Sequence, residues 1–254
     1  MTTPFDPRHF TPRADELSGR VIAITGPTAG IGRAVALGCA QHGASVVLIG
    51  RNVKKLEAVH AQIAALGQNE ATIAPFDLEK AIASDYDTLA NALLDRYGRL
   101  DGLLHNASVL GALAPIEHYD VPTWCRVLHV NTTAAFALTQ VLLPVLKRSD
   151  DASILFTSSG VGRKARAFWG AYAVSKYGIE ALAAMLAAEL ENLTHIRVNT
   201  LNPGGTRTSM RLQAYPAENP ATLPLPEAHV PVYLALLGPA SRGVTGRAFD
   251  AQPT

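Results

Sequence analysis

Short apolar runs alternate with stretches of helical periodicity along almost the whole chain. Val21 to Ile24, Val46 to Ile49, Thr72 to Phe76, Gly102 to Leu104, Ser153 to Thr157, Ile196 to Thr200 and Arg247 to Phe249 read as short strands. Most of these runs are continuously apolar rather than alternating, as strands covered on both faces should be. Between them the periodicity predicts helices over about 31–42, 52–66, 84–97, 123–147, 170–191 and 227–237. Gly43, Gly67 and Gly98 sit where a helix C′ residue is wanted, and Asn52 and Ser84 where an N-cap is wanted. Strand–helix alternation of this kind builds a parallel sheet with right-handed crossovers and helices on both faces. One stretch breaks the pattern. Residues 203–231 hold six prolines and no clear strand, which in a compact domain suggests a lid or binding loop.

Composition narrows the classes. The chain has 254 residues, 22 basic and 21 acidic, and 48% hydrophobic. The length suits one large α/β domain over 1–254, and the apolar fraction excludes a disordered chain. A net charge of +1 argues against a nucleic-acid partner, which usually meets a basic face. Cys39 and Cys125 stand far apart, with no C-x-x-C pair and no histidines at metal-ligand spacing. No metal site is expected, and both thiols read as buried and free. The first 19 residues lack a signal-like apolar segment, and no run approaches the roughly 18 apolar residues of a membrane helix. A cytoplasmic protein without a membrane partner is the expectation.

Chemistry gathers at the strand ends. The first strand runs into Thr25-Gly26-Pro27-Thr28-Ala29-Gly30-Ile31-Gly32, and a helix follows. Such a turn brings backbone N–H groups and a helix N-terminus to a pyrophosphate, and side chains at Gly26, Gly30 or Gly32 would block the approach or the packing. A turn that only needs small residues is the plainer alternative. After strand 2 comes Gly50-Arg51-Asn52 where a carboxylate would bind ribose hydroxyls. The Arg51 guanidinium suits a 2′-phosphate, favouring NADP(H) over NAD(H), unless it is only a surface arginine. Asp77 and Leu78 after strand 3 can cover an adenine, or form an ordinary turn.

Tyr172 and Lys176 lie four apart at the start of a long helix, hence on one face. An ammonium nearby lowers a phenol's pKa from about 10, preparing it to pass a proton to a carbonyl oxygen as hydride reaches the carbon. Lys176 can also hold the ribose hydroxyls of a nicotinamide. Alone, Y-x-x-x-K is common on helices. Here Thr157-Ser158-Ser159 ends strand 5 and His105-Asn106-Ala107-Ser108 ends strand 4, both at the ligand edge of such sheets. Asn131 lies within a helix, where asparagine has poor propensity. It reads either as a core group bonded to backbone or as the anchor of a proton-relay water.

The set TGPTAGIG, HNAS, Asn131, TSSG, Y-x-x-x-K and NPGGTRT resembles the short-chain dehydrogenase/reductase family in its single-domain form, over nearly the whole chain and in the family's order. More narrowly, LDGLLHNA, LFTSSGVGR, WGAYAVSK, RVNTLNPGGTRT and FDAQP resemble the YciK-type oxidoreductases, a subgroup similar to 3-oxoacyl carrier-protein reductases. The resemblance implies a three-layer, doubly wound Rossmann fold with a mostly parallel seven-stranded sheet. It implies an NADP(H)-linked reaction on a small-molecule carbonyl or alcohol, with a 3-oxoacyl thioester or another ketone as the candidates. By motif match Tyr172 is the acid/base, Lys176 binds ribose, Ser159 orients the carbonyl and Asn131 completes a proton relay. The cofactor would lie along Gly26, Thr28, Ala29, Gly30, Ile31, Gly32, Arg51, Asp77, Leu78, Asn106, Ala107, Tyr172, Lys176, Pro203, Gly204, Thr206 and Thr208.

Two positions depart from the family pattern: Ser108 replaces the glycine of N-N-A-G, and Ala29 replaces a basic residue often seen with NADP(H). The NADP(H) reading therefore rests mainly on Arg51. Met210, Leu212 and Tyr215 of the lid, with Trp169 and Val161 opposite, are candidate substrate contacts or packing residues. Arg163, Lys164 and Arg166 form a basic cluster that suits a phosphorylated carrier or is simply solvated. Family members are commonly homodimers or homotetramers built on the helices 123–147 and 170–191. The competing readings are a non-catalytic NADP(H)-binding sensor or scaffold and a sugar-nucleotide epimerase or dehydratase. Little chain follows Pro203 for the latter's substrate domain, and the absence of G-x-S-x-G disfavours a hydrolase.

Overall fold

The computed structural model describes residues 5–67 and 70–253. Seven strands form one sheet: β1 (Val21–Thr25), β2 (Ser45–Gly50), β3 (Ala71–Pro75), β4 (Gly102–His105), β5 (Ser153–Thr157), β6 (Arg197–Asn202) and β7 (Ala248–Asp250). Their order is β3-β2-β1-β4-β5-β6-β7, and every pairing is parallel. The expected "mostly parallel" sheet is thus parallel throughout. The order reverses between β1 and β4, which opens a crevice at the carboxyl ends of those strands.

Alternate residues of each strand feed two cores. Val21 and Ala23 face one with Leu103, Ile154 and Phe156. Ile22 and Ile24 face the other with Leu48, Leu104 and Leu155. Helices α1 (Gly30–Gln41), α2 (Val53–Ala64) and α8 (Val230–Leu237) cover the second through Val35, Leu56, Ile63 and Leu234. Helices α3 (Ala83–Tyr97), α5 (Ala134–Leu146) and α6 (Gly170–Leu190) cover the first through Leu89, Leu93, Leu138 and Ile179. Helix α4 (Val121–Leu128) and a short α7 (Ser209–Ala214) complete the set.

Several local expectations hold. Asn52 caps α2 by accepting from the Lys55 N–H at 3.0 Å, and Gly43, Gly67 and Gly98 all have positive φ. Others are corrected. Ser84 is not a cap: α3 starts one residue earlier, where the Ile82 N–H donates to Asp85 Oδ2 at 2.9 Å. The stretch 123–147 is not one regular helix. It starts at Val121 behind the cap Asp120 and is interrupted at His129–Thr133 by a π-turn before α5. By length and composition Val121–Leu146 would cross a membrane, but Leu138, Leu142, Val145 and Leu146 are buried in the core. Cys39 is buried as expected and Cys125 is exposed, because it falls on the outer face of α4. The proline-rich segment is not wholly irregular either, since it contains α7.

Candidate active site

A cleft of about 540 Å³ lies over the carboxyl edge of the sheet, along the β1/β4 switch point. Its floor starts at the turn after β1. Gly26 has φ 66°, and a Cβ there would come within 2.9 Å of the Ala107 backbone. Thr25 fastens the facing turn by accepting from the Asn106 and Ala107 N–H groups at 3.0 and 3.1 Å. Helix α1 then follows Ala29, an N-cap that supplies no side-chain hydrogen bond, and its first turn carries no acidic group. Its N-terminal donors thus have no side-chain acceptor at the cleft, and the helix dipole favours an anion there. Gly32 does not line the cleft. It sits behind the loop, where a Cβ would lie 2.2 Å from the Gly26 carbonyl oxygen, so its role is to let the helix pack beneath the loop.

The far end of the cleft is lined by Arg51, Asn52, Lys55, Asp77, Leu78 and Glu79. Gly50 ends β2 without a carboxylate. Arg51 approaches Glu79 at 3.3 Å. Asp77 accepts from the Glu79 N–H at 3.0 Å, the ordinary turn role, while still lining the cleft. Lys55 and Glu79 were not singled out from sequence. Lys55 follows Arg51 by one helical turn, a readable signal. Glu79 becomes visible only through its neighbours in space.

At the opposite end stand Ser159, Tyr172 and Lys176. The start of α6 is set by Phe168, held in the left-handed region at φ 72°, a rare conformation for a bulky residue. Its carbonyl accepts from the Ala114 N–H at 3.1 Å. The turn sets Trp169 against Tyr172 with the rings tilted by 50° and their centroids 5.7 Å apart. Tyr172 and Lys176 are both buried, at 7% and 3% exposure. Lys176 Nζ donates to the Thr157 carbonyl at the end of β5, 2.8 Å away, and lies 5.6 Å from the Tyr172 ring centre.

The electrostatics differ from the sequence expectation. Burial pushes the Tyr172 phenol up to about 12, opposed by a hydrogen bond with Ser159. Burial also pushes Lys176 down to about 8, with Glu180 opposing. Loss of water sets the direction at both groups, and the groups that oppose it are Ser159 for the phenol and Glu180 for the ammonium.

Asn131 lies off the main cleft, in the π-turn. Its amide is fully engaged: Oδ1 accepts from the Val109 N–H at 2.8 Å, and Nδ2 donates to the Val109 carbonyl and Ser175 Oγ at 2.9 and 3.0 Å. It therefore ties the loop after β4 to α6. With Lys176, Thr157 and His105 it also borders a small cavity of about 10 Å³, close to the room one water needs.

Asn106, Ala107, Pro203, Gly204, Thr206 and Thr208 all line the cleft. Thr208 also caps α7, accepting from the Arg211 N–H at 3.1 Å. Ser108 and Ser158, noted in the sequence but given no role there, also line the cleft, and their buried hydroxyls have no hydrogen-bond partner. Around Tyr172 the wall is apolar: Leu110, Val161 and Ala173 are buried, with Trp169, Met210 and Ala214 against them. Leu212 points outward at 55% exposure. Tyr215 packs on Trp169 and under Arg211. Within the basic cluster, Arg163 is paired with Glu180 and Asp250 at 2.8 and 2.9 Å, and Arg166 reaches Tyr215.

The sequence pattern of the family described as short chain dehydrogenase matches residues 20–219. The uncharacterized oxidoreductase YciK of Escherichia coli K12 is 44% identical over 245 residues, 96% of each chain. A structure from Pseudomonas syringae shares 52% identity, covers 98% of this chain and 99% of its own, and superposes with a TM-score of 0.95. A structure from Escherichia coli CFT073 complexed with NADPH shares 46% identity over 95% of this chain and all of its own, with a TM-score of 0.92. A parallel sheet with this switch-point cleft, and relatives of this similarity along nearly the whole chain, lead to one assignment: the protein is an oxidoreductase of the short-chain dehydrogenase family.

Proposed function

We propose that the protein transfers a hydride between NADP(H) and a small-molecule carbonyl or alcohol, with Tyr172 as the proton carrier. The observation that carries this reading is the burial of Tyr172 beside Ser159 and Lys176 in one wall of a cleft whose other end holds Arg51 and Lys55. The residues present fit the dinucleotide. An uncapped helix start and the Gly26 cradle suit a pyrophosphate, and two cations with no carboxylate on β2 suit a 2′-phosphate. The NADPH complex of a 46% identical relative supports the same choice. When bound, the nicotinamide supplies or takes up the hydride.

In the reducing direction the phenol O–H gives its proton to the carbonyl oxygen. The Ser159 hydroxyl orients that oxygen and steadies the phenolate left behind. Lys176 holds ribose hydroxyls and faces the phenolate with its positive charge. Asn131 acts by fixing α6 against the loop after β4 and by bordering the small cavity through which a water can connect Lys176 to the interior. A phenol at about 12 is fully protonated at neutral pH, which suits a donor. A non-catalytic sensor would need the phosphate end but not this buried trio. Exposed Phe136, Val174, Tyr177 and Met185 on α5 and α6 support a homodimer or homotetramer.

The test is NADPH oxidation across ketones, aldehydes and 3-oxoacyl thioesters. Turnover of at least one class is expected, and none at all would sink the reading. Arg51→Asp should weaken NADPH far more than NADH in a direct binding titration. Equal losses would mean that Arg51 does not meet a phosphate.

The pH profile follows from the two shifts. Reduction requires Tyr172 protonated, true below about 12, and Lys176 charged, true below about 8. The kcat/KM for NADPH should therefore be level at neutral pH and fall as pH rises through about 8. A profile that stays level to about pH 10, well past the lowered Lys176 value of about 8, would remove Lys176's charge from the mechanism.

A further inference from the structure

Glu79 places a carboxylate beside the cations that a 2′-phosphate would meet. It lines the cleft with Arg51, Lys55 and Asp77. Two like charges in such a place repel, and one uncompensated carboxylate near a phosphate dianion works against binding. Yet Glu79 is not uncompensated. Its Oε1 accepts from Arg126 Nε at 2.7 Å, while Oε2 meets Arg51 Nη1 only at 3.3 Å. The Arg126 contact is the shorter and comes from α4. Asp77 also lines the cleft, with its Oδ1 accepting from the Glu79 N–H.

We infer that Arg126 is a positioning residue for NADP(H) selectivity: by holding Glu79 it leaves Arg51 available to the 2′-phosphate. The inference rests on the NADP(H) reading above. Arg51 is 59% exposed and makes a single long contact with Glu79, so it can exchange the carboxylate for a phosphate. Glu79 then stays on Arg126 and keeps its charge balanced. Without Arg126, the carboxylate turns to Arg51, occupies its guanidinium fork and leaves no free cation there except Lys55. The lowered pKa of Glu79, whose largest cause is the Arg126 hydrogen bond, agrees with that division of partners. Arg126 does not touch the phosphate; it acts through Glu79.

The test is calorimetric titration of NADPH and NADH into the parent, Arg126→Gln, Glu79→Gln and the double variant. Arg126→Gln should weaken NADPH by about five- to tenfold, the scale of one charge contact near a surface, and leave NADH within about twofold. Glu79→Gln should not weaken NADPH, and the double variant should match Glu79→Gln. Arg126→Lys, which keeps the charge, should recover part of the loss. Circular dichroism confirms the fold, since Arg126 is 40% exposed. Parallel loss of NADPH and NADH would make Arg126 merely structural. A double variant as weak as Arg126→Gln would make Arg126 a phosphate ligand in its own right. Either result overturns the inference, as does an Arg126→Gln variant with parental affinities. A parent that binds both dinucleotides equally would instead overturn the NADP(H) reading, and the inference with it.

Discussion

Tyr172→Phe should lower turnover by about a thousandfold or more while leaving NADPH affinity within about twofold, because only the transferable proton is removed. The ring stays. Its contacts with Trp169 and with the Leu110, Val161 and Ala173 wall do not involve the phenol oxygen. The hydroxyl is buried and its pKa lies near 12, so removing it leaves no charge unpaired. The Ser159 hydroxyl loses one neighbour and keeps its place on the loop after β5. What disappears is the group that can protonate a carbonyl oxygen away from bulk water. Steady-state NADPH oxidation with the best carbonyl compound, alongside an NADPH titration, measures both halves. Parental turnover in the variant would assign the proton transfer elsewhere. A parallel loss of NADPH binding would mean that the phenol mainly supports the cofactor.

Asp151→Ala should cost about 3–5 kcal/mol of stability, the range for removing one partner of a buried ion pair. Asp151 lies between α5 and β5, nearly inaccessible. Its carboxylate meets Arg20 at 3.0 Å, Arg197 at 3.1 Å and Arg242 at 3.4 Å. Arg197 is 3% exposed. Burial pushes it down to about 10, and Asp151 is the group that opposes the shift. Its Nε already lacks an acceptor, so the alanine variant leaves this buried guanidinium without a counter-charge and with only the Gly238 carbonyl, 3.1 Å from Nη2. Arg20 keeps the carbonyls of Asp101 and residue 151 and loses less. The thermal midpoint should fall by about 10 °C for a chain of this size. Asp151→Asn, which retains an acceptor, should fall less. A loss under about 1 kcal/mol would mean that water reaches the cluster and compensates it.

The layered fold was legible because a parallel sheet writes itself as continuous apolar runs. Val46 to Ile49 and Ser153 to Thr157 have almost no polar interruption, and the strands there agree within a residue or two. The phosphate turn was legible from Gly26 and Gly30 directly after a strand. Other features depend on contacts between distant residues. The π-turn was not legible: the mostly polar run His129-Val130-Asn131-Thr132-Thr133 marks a weak stretch of helix but does not say that one extra residue is inserted there. Arg163 looked like part of a basic patch because Glu180 and Asp250, which neutralise it, are far along the chain. Glu79 and Arg126 are 47 residues apart and meet only in space. The pKa directions also escaped sequence reasoning. Spacing told which charges are near, whereas burial decided which effect wins. Sequence placed Tyr172 and Lys176 on one face and could not tell how dry that face is.

The wholly parallel pairing has a consequence for how the chain reaches its folded form. No strand can pair with its successor through a tight hairpin, so each pairing waits for an intervening crossover. The central seam is the most delayed: Ile22 of β1 sets its register against Gly102 of β4, with β2, β3 and three helices between them. On a ribosome, the first strand would emerge long before its inner neighbour and stay with one side unpartnered in the meantime. Such long-range closure slows folding and prolongs exposure of apolar edges. The seam that opens the crevice is thus also the one the nascent chain must complete late.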